Sequence, residues 1–82
     1  MYQTIHESID VAGVFAKGKF RPTKFRWRDR SYRVSQITIL ADFTDGGRPQ
    51  RQYSVVCDGN VYRLLYQRDS EIWFVEEVWC EG

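Results

Sequence analysis

Apolar and polar residues alternate with a period of two through most of the chain, and β-branched and aromatic side chains crowd the alternating segments. That combination marks half-buried strands rather than helices. In the first such segment, residues 9–15, Ile9, Val11, Gly13 and Phe15 oppose Asp10, Ala12 and Val14. A glycine in mid-strand signals a bulge or a close backbone approach. Gly18 and then Arg21-Pro22-Thr23 interrupt the pattern, and Pro22 confines that stretch to an edge or a loop. Residues 24–28 alternate most clearly, with Phe25 and Trp27 on one face and Lys24, Arg26 and Arg28 on the other. Asp29-Arg30 falls where a tight hairpin turn belongs, without the glycine such turns favour.

The returning strand covers residues 31–40. Tyr32 and Val34 share one parity and Ile37 and Ile39 the other, so a one-residue bulge near Ser35-Gln36 is expected. Residues 44–49, with Gly46-Gly47 and Pro49, form the strongest loop signal. Strands at 52–57 and 61–66 flank Asp58-Gly59-Asn60, a hairpin signal, and a turn at 67–71 leads to a last strand at 72–79. No segment has a sustained helical period. Six short strands with tight turns predict an all-β domain: a small antiparallel barrel of five or six strands, bent and partly closed, SH3-like or similar, with little or no helix. Residues 1–7 show no pattern and are expected to be a flexible arm ahead of a single β domain at 8–82.

Eighty-two residues, 43% hydrophobic and 16% aromatic, suffice for one modest core and exclude a second. The N-terminus lacks a basic start followed by an apolar stretch, and no apolar run approaches the roughly 20 residues of a membrane helix, so a cytoplasmic protein is expected. Cys57 and Cys80, far apart, are expected to be reduced thiols. One histidine and no Cys-x-x-Cys argue against a metal site, and no phosphate-loop, dinucleotide or nucleophile-elbow motif calls for a cofactor or a catalytic role. Glu76 and Glu77, adjacent on a strand, point to opposite faces and make a poor acid–base pair. The protein reads as a non-enzyme.

Charge distribution says more than the total of +1. Residues 17–33 hold eight cations and one anion, whereas residues 69–82 hold five anions and no cation. Two arrangements fit. In one, Lys24, Arg26, Arg28 and Arg33 form a free cationic strip with Trp27 or Tyr32 at its margin, suited to phosphates and unpaired bases. In the other, the acidic last strand lies beside the hairpin and pairs Arg26 or Arg28 with Glu76 or Glu77. The last strand is apolar on both faces, so Trp79 is the candidate centre of a hydrophobic partner surface.

The run Phe25-Arg26-Trp27-Arg28-Asp29-Arg30-Ser31-Tyr32-Arg33-Val34 resembles the first hairpin of small uncharacterised bacterial β domains. Tyr53-Ser54-Val55, Gly59, Tyr62-Arg63-Leu64 and Trp73-Phe74-Val75 continue the likeness over roughly residues 20–79. Some of those domains accompany DNA-repair polymerase-like proteins. The resemblance implies a β fold and a nucleic-acid context, and it carries no site residues. The favoured expectation is a non-catalytic module binding single-stranded nucleic acid, or a partner that processes it, through Lys24, Arg26, Arg28 and Arg33. The alternative is a protein-interaction or homodimerisation domain built on Trp79.

Overall fold

A computed structural model describes residues 1–80. It is all-β, with seven antiparallel strands: β1 (Tyr2–Ala16), β2 (Lys19–Trp27), β3 (Arg30–Arg33), β4 (Gln36–Asp45), β5 (Arg48–Cys57), β6 (Asn60–Gln67) and β7 (Ile72–Trp79). They form one curled sheet in the order β3-β2-β1-β7-β6-β5-β4, an open half-barrel. The expected five or six strands become seven because the segment at 31–40 is two strands. Val34 donates its N–H to the Thr23 carbonyl on β2, and Ser35 donates to the Val56 carbonyl on β5. The chain therefore steps from one edge of the sheet to the other at this point and closes one corner of the barrel. The expected bulge lies further along, at Thr38, where the β4–β5 register shifts between Ile37 and Ile39.

Residues 1–7 are not a loose arm. They open β1, where Tyr2 pairs with Trp79 and Glu7 with Val75. A register irregularity at Ile5 and His6 breaks the alternation there, which hides the strand from periodicity. His6 adopts a φ of 97°, stacks on Phe74 and brings Nδ1 within 2.5 Å of Glu76.

The concave face holds the core. Ile9, Phe25, Tyr53, Val55, Cys57, Tyr62, Leu64, Val75 and Val78 are buried together. Phe25 stacks on Tyr32 with centroids 4.9 Å apart and meets Tyr62 edge-on, while Trp73 packs among Phe20, Tyr53 and Tyr66. Such rings supply most of the apolar area a chain this short can hide. Burial pushes the Cys57 thiol up to about 11, as expected of an inert core cysteine.

Gly13 is the hinge of the basic hairpin. The β1–β2 register shifts between Ala12 and Gly13, and a Cβ on Gly13 would strike the Arg21 carbonyl and lie 2.6 Å from the Phe20 ring and 2.9 Å from Pro22 Cα. Pro22 sits inside β2 without breaking it, because residues 19–23 have β1 on one side only. An edge strand tolerates the missing N–H.

Candidate nucleic-acid interface

The register shift at Gly13 organises the cations. Ala12 pairs with Lys24 and Gly13 with Pro22, which leaves Thr23 as the extra residue on β2. In a regular strand Arg21 and Lys24, three positions apart, would face opposite sides. With Thr23 bulged, Lys19, Arg21, Lys24 and Arg26 share the outer face, opposite Ala16, Val14, Ala12 and Asp10 of β1. Arg33 joins them as the direct cross-strand partner of Lys24. Like charges placed opposite one another destabilise a sheet. The parity of residues 24–28 was legible in the sequence, whereas the contribution of Lys19 and Arg21 depended on a bulge that Arg21-Pro22-Thr23 disguised as a loop.

The acidic last strand does not reach this row. β1 lies between β2 and β7, so Glu77 pairs with Arg63 at 2.8 Å and Glu76 with His6. Glu81 lies outside the described residues. Neutralisation comes instead from Glu7 on β1, which takes two hydrogen bonds from Arg28, at 3.0 and 2.6 Å, and one from the Trp27 indole at 2.9 Å. The Arg28 guanidinium beside it, with the indole N–H, holds the Glu7 carboxyl down to about 2. Arg28 also lies 4.7 Å over the Trp27 ring. Arg28 and Asp29 both have positive φ, 51° and 60°, so the turn is of the primed kind without glycine. The contacts of Arg28 hold that conformation.

Of the four expected cations, Arg28 is thus committed to Glu7. Arg26 lies 3.6 Å from Asp29 and shares a shallow depression with Asp10, Asp29 and Glu71. Lys24 and Arg33 have no carboxylate within 4 Å among the described residues, and the same holds for Lys17, Lys19, Arg21 and Arg30. The free charge is centred on Arg21, Lys24 and Arg33, nearer the β1–β2 hairpin than its sequence neighbours suggest. The expected aromatic margin is missing. Trp27 is 9% exposed, and Tyr32 is half-buried against Phe25 on the inner face with the Arg30 guanidinium 5.8 Å over its ring.

No protein-family model, curated protein or solved structure matches the chain. Among the described residues no group of His, Cys, Asp and Glu is placed to hold a metal ion. Trp79, the other expected binding residue, stays 51% exposed and leans on Tyr2, also 51% exposed, with ring centroids 6.1 Å apart.

Proposed function

We propose that this protein is a non-catalytic, SH3-like binding module that takes single-stranded nucleic acid along the outer face of β2 and β3. The observation that carries the reading is the Lys24–Arg33 pair: two cations opposed across a strand boundary, with no carboxylate within 4 Å of either among the described residues. A phosphate lying between them would remove the repulsion and accept charge-assisted hydrogen bonds. Alternate residues of a strand advance by about 6.6 Å, comparable with the phosphate repeat of an extended single strand, so Arg21, Lys24 and Arg26 can track a backbone. With no exposed ring on the row, phosphates rather than bases dominate, and binding is sequence-tolerant.

The test is fluorescence anisotropy with a labelled oligothymidylate over a salt series. Log affinity falls with log salt at about 0.7 per phosphate contacted, and Lys24→Gln or Arg33→Gln each lowers the slope by about one contact. Absence of binding at low salt, or slopes unchanged in both variants, rejects the reading. A second reading rests on Tyr2 and Trp79, whose exposed rings suit a protein partner or a second copy. It requires association that rises with concentration and disappears in Trp79→Ala.

A further inference from the structure

The open side of the half-barrel is a groove between two strand edges. Residues 19–23 of β2 have β1 on one side only, and β4 pairs with β5 alone. On the β2 side the Phe20 carbonyl already accepts from the Tyr53 hydroxyl at 3.1 Å, the Thr23 carbonyl accepts from Val34, and Pro22 has no N–H, so the edge that offers an unpaired ladder is β4. The space between them, about 1000 Å³, is walled by Val14, Phe20, Pro22, Val34, Ile37 and Leu40. Its only charged lining residues are Lys17, Lys19 and Arg21, none with an ion-pair partner among the described residues.

We propose that this groove binds an acidic, extended peptide as an added strand. Three features select that occupant. The lining charge is wholly positive, so the complement is anionic. The walls are largely aliphatic, and the one ring, Phe20, already packs on Trp73, so alternate apolar side chains find a floor where stacked bases would not. Both sides are walled, by residues of β2 and of β4, so the groove takes the width of a strand. Residues 36–40 and 19–23 face each other over about five residues at ~3.3 Å rise, the length of a short linear motif.

The experiment titrates the full chain into a labelled peptide of alternating Glu and Val, with a Lys–Val peptide as control and amide spectra as the map. The acidic peptide binds, the basic one binds at least about tenfold more weakly, and the shifted amides fall in residues 19–23 and 36–40. Lys17→Glu with Lys19→Glu, exposed positions in the β1–β2 turn and at the start of β2, weakens the acidic peptide at least about tenfold, and Leu40→Glu does the same from the opposite wall. Equal binding of both peptides, or none, overturns the proposal. So do amide shifts at 36–40 on adding oligothymidylate alone, which give the groove to nucleic acid, or self-association that protects β4, which gives it to a second copy.

Discussion

The two limbs of the sheet treat their arginines differently. In the β4–β7 limb, Arg51 makes a two-pronged contact with Asp42 at 2.6 and 3.1 Å, Arg48 reaches Asp69 at 3.1 Å and Arg63 reaches Glu77 at 2.8 Å. These guanidinium groups hold the Asp42 and Asp69 carboxyls below the usual carboxylate range. In the β2–β3 limb, Arg28 pairs closely with Glu7 of β1 and Arg26 lies 3.6 Å from Asp29, while Lys24 and Arg33, with no ion-pair partner among the described residues, are set against each other. Carboxylates are not scarce in a chain with 11 of them and 12 Lys and Arg. Among the described residues the fold places most of its close arginine–carboxylate pairs in one limb. A basic face produced by composition alone would not be so one-sided, and each experiment below strikes at that asymmetry.

The largest effect should come from Gly13→Ala. The added methyl meets the Arg21 carbonyl and the Pro22 backbone, which belong to the strand itself and cannot swing aside. Overpacking of this kind costs about 1–3 kcal/mol, measurable as a lower denaturant midpoint at unchanged slope. Because the same bulge aligns Arg21 with Lys24, oligothymidylate affinity falls as well. Wild-type stability in the variant would show that the register shift is not needed to shape this limb. Next in size is Asp29→Gly. Relieving a non-glycine residue at a φ of 60° gains about 1 kcal/mol. The substitution also removes the carboxylate 3.6 Å from Arg26, so affinity for oligothymidylate rises together with stability.

Local periodicity carried the faces of this limb and the strands at 52–57, 61–66 and 72–79, but not how the limbs are joined. Phe25 and Trp27 against Lys24 and Arg26 is a face assignment that needs only a period of two, and it holds. The partner of Arg28 was out of reach, because Glu7 is 21 residues away and meets it only through the strand order. The expectation that Glu76 or Glu77 would cap the hairpin assumed that the last strand packs on β2. It packs on β1 instead, and pairing order is a property of the closed sheet rather than of any segment. Bulges account for the rest. At Ile5-His6 one hides half of β1, and at Thr23 another makes a continuous strand resemble a loop.

Acid provides a smaller test of the one tight pair in the basic limb. The folded-state value of Glu7, about 2, lies below its usual value of 4.5. A depressed carboxylate contributes stability that is complete above the unfolded value and is lost as pH falls through the folded one. The contribution therefore declines between about pH 4.5 and about pH 2. Glu7→Gln cannot lose a proton-linked pair, so its unfolding midpoint falls less steeply than that of the wild type over this window. Parallel profiles would mean that the contact between Arg28 and Glu7 contributes nothing to holding the turn.

Arg33→Glu is expected to have the smallest effect on stability and the most informative sign. It places a carboxylate opposite Lys24 in a register already set by the β2–β3 ladder. An exposed cross-strand pair of opposite charge is favourable by a few tenths to about 1 kcal/mol, and the like-charged pair it replaces is unfavourable. The folded state therefore gains slightly, while oligothymidylate affinity falls because one phosphate contact is lost and a repulsion is added. Opposite signs in the two measurements would show that the basic limb is kept for a ligand at the expense of the fold, as binding and catalytic sites commonly are. Were stability to fall instead, Arg33 would be holding β3 through its side-chain stem. The contrast between the limbs would then be one of packing, and the phosphate-binding face would lose its main support.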